Sequence, residues 1–187
     1  MIYSWKKIVK NSIPILTIAV LIEIFAGSVL QAKSDVLLIY APIFLISIPV
    51  VNSVGGNIGS VFGARLASGL HIGTIEVNYK DKKMLESLFT AIVIGVLTYF
   101  VLSIVIYYVA AFSSIQMNIS MIGFVAIFIT TGVLLVSVVI IFSILAAFIS
   151  FKRGLDPDDM VAPIVTTVGD VLGILILFLI INIGVGI

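Results

Sequence analysis

A chain of 187 residues that is 61% hydrophobic and 10% charged is not an ordinary soluble domain, whose apolar share is about 45–50%. The exterior of a globular protein this size must meet water, so the excess apolar surface has to face lipid. The net charge of +1 offers no basic field for nucleic acid, and the lack of cysteine removes disulfides, thiolate metal sites and thiol chemistry.

Five apolar stretches can each cross about 30 Å of hydrocarbon. In chain order they are 12–31, 36–63, 85–111, 121–150 and 160–185. Together they predict a single transmembrane domain over 1–187: an all-α, polytopic bundle of five helices in the cell membrane. The basic start, Met1 to Lys10, resembles the head of a signal peptide. The apolar run after it is too long for one and has no small-residue cleavage site, so a retained first helix is expected. Breaks are expected at the polar turn Gln31–Asp35, at the charge cluster Glu76–Glu86, at 111–120 and at the second cluster, 151–159.

Loop charge sets the expected orientation. Lys6, Lys7, Lys10, Arg65, Lys80, Lys82, Lys83, Lys152 and Arg153 share one side, and Lys33 alone falls on the other. This predicts a cytoplasmic N-terminus and an outside C-terminus. Helices 3 and 4 have no ionisable group in their central turns and are expected to be lipid-facing scaffold. The polar features at depth belong to helices 1, 2 and 5.

Asp170 lies about ten residues into helix 5, near the midplane. A carboxylate there costs on the order of 2.5–3.5 kcal/mol, so it needs a partner or a watery cavity. Pro163, Thr166, Thr167 and Asp170 recur at helical spacing on one stripe. Their carboxylate, hydroxyls and Pro-freed carbonyl are oxygen ligands, which suit a hard cation such as Mg²⁺. A protonated Asp170 bonded to a neighbouring helix is the plainer alternative.

Helix 2 carries Pro42, Pro49, Asn52, Gly55, Gly56, Asn57 and Gly59, a composition that predicts a broken or kinked backbone over 49–59. Such backbone is tolerated at depth where it lines a covered cavity, which would bring Asn52, Asn57 and the carbonyls near Gly56 beside Asp170. Close packing through small residues is the alternative for the glycines. Glu23, at a similar depth in helix 1, fits a second cation site, a proton carrier or a structural acid. Arg65 is expected to mark the inner interface by snorkelling or pairing an acid, and His71 to be structural. Asp156, Pro157, Asp158 and Asp159 form a helix start: an N-cap, a first-turn proline and two acids on the dipole.

The stretches Pro49-Val-Val-Asn52-Ser-Val-Gly55-Gly56-Asn57-Ile-Gly59 and Arg65-Leu-Ala-Ser-Gly-Leu-His71-Ile-Gly73 resemble the second-helix signature of MgtE-type magnesium transporters. Gly154-Leu-Asp156-Pro157 and Pro163-Ile-Val-Thr166-Thr167-Val-Gly-Asp170-Val-Leu-Gly173 are similar to that family's fifth-helix signature. The likeness is closer still to the eukaryotic solute-carrier relatives and to short archaeal homologues. Val61 stands where bacterial members usually have Gln, as in the solute-carrier branch. The resemblance implies a homodimer around a central divalent-cation path, with Mg²⁺ first among the ions. It makes Asp170 the main ion residue, with Asn57 and the Gly55–Gly59 backbone beside it. The large cytoplasmic Mg²⁺-sensing domains are expected to be absent, since about ten residues precede helix 1. Uptake driven by the membrane potential and exchange against Na⁺ or H⁺ are both compatible, with Glu23 the coupling candidate. Gly169-Asp170 also faintly resembles the GxGD intramembrane aspartyl proteases, but Thr167 replaces the first Gly and no other helix supplies a second Asp. A non-transporting scaffold is the third reading. The expectation is a transporter, not an enzyme.

Overall fold

The computed structural model describes residues 5–40, 42–78 and 80–185. The side chains of Lys6, Lys7, Lys33 and Asp158 lie outside what is described. Five helices follow one another: α1 Trp5–Tyr40, α2 Pro42–Ile72, α3 Lys82–Phe112, α4 Met121–Lys152 and α5 Pro157–Val185. Among the described residues, all five are long and apolar enough to cross a membrane. The protein is therefore a multi-pass membrane bundle.

The ends of the helices follow from local chemistry. Asp81 caps α3 by accepting the Met84 N–H at 2.9 Å. That bond holds its carboxyl below the usual carboxylate range. A lowered acid of this kind helps at neutral pH, and its contribution is lost as pH falls through the lowered value. Ser120 caps α4 through the Gly123 N–H at 3.2 Å. At the other ends, Gly73 (φ 73°) and Gly154 (φ 67°) turn the chain out of α2 and α4 in the left-handed region, where a side chain would be strained. Pro157 opens α5 as expected. His71 Nε2 lies 3.6 Å from Asp156 Oδ1 and its ring meets Phe151 edge-on at 5.8 Å. This gives His71 a structural place between the end of α2 and the start of α5.

Three expectations fail. The polar stretch Gln31–Asp35 is not a turn, because α1 stays helical to Tyr40. Its residues tolerate a helix well, and Pro42 takes the first position of α2, where its fixed φ and missing N–H suit a helix start. Of the broken or kinked backbone expected over 49–59, the break does not occur: α2 is one helix from Pro42 to Ile72, with Pro49 inside. Finally, α4 is not lipid-facing scaffold. It packs on α2, α3 and α5 and is the most buried of the spans, whereas α1 is the most exposed.

Small residues explain the position of α4. A methyl on Gly132 would run into the ring of Tyr99, so this glycine gives α3 a close seat. Tyr99 is fully buried there and donates its hydroxyl to the Val51 carbonyl at 2.7 Å, linking α3 to α2. On the other side, Ser143 Oγ lies 2.9 Å from the Gly59 carbonyl and 2.8 Å from the Val139 carbonyl. These contacts replace the hydrophobic drive that lipid cannot supply between helices.

Candidate cation site

Among the described residues, the α2/α5 seam and the α4/α5 seam are the most extensive helix contacts. The α2/α5 seam is built from α2 residues without bulk, and the two helices run antiparallel. Gly63 meets Val161 and Gly59 meets Val165. One turn further, a methyl on Gly56 would stand 3.5 Å from Thr166 Cα, and one on Gly169 would stand 3.2 Å from Gly56 N. Backbones this close leave the seam little freedom to slide, so the register of α5 against α2 is set before any ion is considered.

At the end of this row Asn52 donates Nδ2 to the Asp170 carbonyl at 3.1 Å. Its Oδ1 is buried against Gly173 and has no hydrogen-bond donor among the described residues. Asn52 thus reaches the backbone of Asp170, not its carboxylate, and fixes the height of that residue. Asp170 itself is partly exposed. It lies thirteen residues after Pro157 in a helix of 29 residues, roughly 20 Å along and close to mid-span.

Thr166 and Thr167 divide their roles. Thr166 Oγ1 stays on its own helix, 2.9 Å from the Ala162 carbonyl and 3.2 Å from that of Pro163. Thr167 Oγ1 donates to Glu23 Oε1 on α1 at 3.5 Å. Glu23 is exposed on α1, and its contact with Thr167 sets it one turn of α5 from Asp170. Two acids from different helices therefore stand at similar depth. No basic side chain pairs with either among the described residues.

Asn57 is exposed and gives its amide to Ser53 Oγ, one turn earlier, at 3.3 Å. Ser53 belongs to the same exposed face, and Ser60 Oγ nearby is buried with no hydrogen-bond partner among the described residues. The sequence reading passed over both serines. Their spacing of four before and three after Asn57 was the available signal, since those positions share a helix face. Among the described residues, no group of three or more His, Cys, Asp or Glu forms a ligand cluster for a metal ion. The arrangement presents dispersed oxygens and amides at membrane depth, chemistry suited to a cation that keeps its water.

Residues 48–180 match the family model described as "MgtE: Divalent cation transporter". The chain belongs to the MgtE family. The matched region takes in most of α2, the whole of α3 and α4, and α5 as far as Ile180, so it includes both sides of the seam. Membership places this MgtE-family chain among divalent-cation transporters and not among enzymes. The intramembrane protease reading falls with it. Neither the curated proteins nor the solved structures compared gave a match.

Proposed function

We propose that this MgtE-family protein carries Mg²⁺ through the membrane along the open side of the α2/α5 seam. In this reading two copies pair so that both Asp170 carboxylates face one axis. The observation that carries it is the placement of Asp170 near mid-span, partly exposed, with Glu23 and Thr167 beside it. Ionisable groups at that depth need protein or a water-filled cavity over them, and a second copy supplies both. Two carboxylates also match a divalent charge, and a hydrated Mg²⁺ bridges dispersed oxygens through its waters. Asn57 lines the same path, the backbone at Gly56 and the hydroxyl of Thr166 flank it, and Asn52 acts through the height of α5. Loop charge supports a cytoplasmic N-terminus, and an inside-negative potential would drive a divalent cation inward along the path.

Uptake of Mg²⁺ into proteoliposomes tests the reading. A folded, reconstituted protein that moves no divalent cation at all would sink it. Glu23 is assigned here to holding cations near Asp170. Glu23→Gln is expected to raise the half-saturating Mg²⁺ concentration by roughly tenfold, equivalent to about 1.4 kcal/mol, with little change in maximal rate. An unchanged half-saturation would return Glu23 to a purely structural role. Pairing is tested separately. The chain has no cysteine, so Ser53→Cys introduces a single thiol on the exposed face of α2. Oxidation in membranes is expected to give a cross-linked dimer, while the same change at exposed Ile183, near the far end of α5, gives none.

A further inference from the structure

At the charged end of the bundle, Arg65 lies eight residues beyond Asn57 on α2, about 12 Å along the helix, and Lys83 lies at the start of α3. Both line a cavity of about 550 Å³ between the end of α2, the following turn and the start of α3. Ser68, Thr74 and Ser87 add hydroxyls to its wall. No carboxylate forms an ion pair with either cation among the described residues; Asp81 is the acid whose charge interacts with Lys83. A second cavity of about 160 Å³ continues from the first, along the α2/α3 groove. Arg65, Val61 and Ser87 line both. Beyond them the second cavity is almost wholly apolar, walled by Ile58, Phe62, Ala91 and Ile94, with Asn57 also in its lining.

We infer that this groove holds an anionic phospholipid, with its phosphate on Arg65 and Lys83 and one acyl chain along the apolar α2/α3 groove. Arg65 is seven residues inside the end of α2 at Ile72, about 10 Å by helical rise, where the surroundings turn apolar. A guanidinium at that level, with no ion pair to a carboxylate among the described residues, attracts an anionic group. Its planar fork pairs two oxygens of a phosphate, and Lys83 adds a point charge at the mouth. Basic pockets between membrane helices take anionic headgroups for this reason. A soluble phosphate would use the outer cavity and leave the apolar one unfilled, whereas a lipid fills both.

The test uses the full chain purified in a neutral detergent. Its melting temperature is measured with added phosphatidylglycerol, with phosphatidylcholine of the same acyl chains, and with inorganic phosphate. Phosphatidylglycerol is expected to raise the melting temperature by about 5 °C over phosphatidylcholine, and phosphate alone is expected to add nothing. The double variant Arg65→Gln, Lys83→Gln loses the difference, while Arg65→Lys with Lys83→Arg keeps most of it. Ser87→Trp fills the junction of the two cavities without removing a charge, and loses it too. Equal shifts with both lipids, a shift retained in the double variant, or the full shift from phosphate alone would each overturn the inference. Should the double variant fail to fold, the three-ligand comparison on the wild type and Ser87→Trp still decide it.

Discussion

Replacing Asp170 by Asn is expected to lower Mg²⁺ flux into proteoliposomes by roughly 10–100-fold, the size that follows loss of an outer-shell partner of a metal ion. The substitution keeps the shape of the side chain and removes its charge. The bundle should survive it, because the contact made to α2 at this residue uses the backbone: Asn52 bonds the Asp170 carbonyl. Thermal stability is therefore expected to be unchanged or slightly raised, since a neutral amide is less costly in lipid than a carboxylate. That separation makes the experiment informative. Loss of flux with an intact melting transition assigns Asp170 to the ion, whereas wild-type flux in the variant removes it from the path. Loss of both flux and folding would instead make the residue structural.

The second large effect is expected at Gly59. A methyl there would run into Val165 on α5 and stand 3.1 Å from Val139 Cβ on α4. Gly59→Ala is expected to destabilise the bundle by about 1–3 kcal/mol, the usual cost of overpacking, and Gly59→Leu to prevent assembly. Gly27 provides the matched control. It lies on α1 with nothing within 4 Å of the position a methyl would take, so Gly27→Ala should be neutral or stabilising by up to about 1 kcal/mol from helix propensity. Thermal melts in one detergent compare the three variants. If Gly59→Ala melted with Gly27→Ala, the α2/α5 seam would not depend on close backbone approach, and the register that fixes Asp170 would need another cause.

The glycine-rich stretch of α2 shows where a sequence reading reaches its limit. By sequence, Gly55 and Gly59 point equally to a broken helix and to close packing. Local propensity favours the break, but the neighbours decide otherwise: Leu135 and Val165 occupy the space a Cβ would need at Gly55 and Gly59, and Thr166 packs against Gly56. Asn52 and Asn57 make the same point. They are one residue type five positions apart, which turns them about 140° from each other around the helix. One is buried against α5 and the other is exposed, and nothing local distinguishes them.

What the sequence determined by itself was the solvent of this protein, its five spans and the two acids that stand at depth. These are legible because transfer between water and lipid is a large, local energy for each side chain. Which helix lies at the centre was not legible. Lipid tails are as apolar as leucine, so an apolar face says nothing about whether lipid or protein covers it. The helix with the highest mean hydropathy, α4, is the most buried of the spans, and α1, which carries Glu23, is the most exposed. Only the tertiary structure brings Glu23 to Thr167 across 144 residues, and only the seat made by Gly56, Gly59 and Gly63 sets Asp170 at its height.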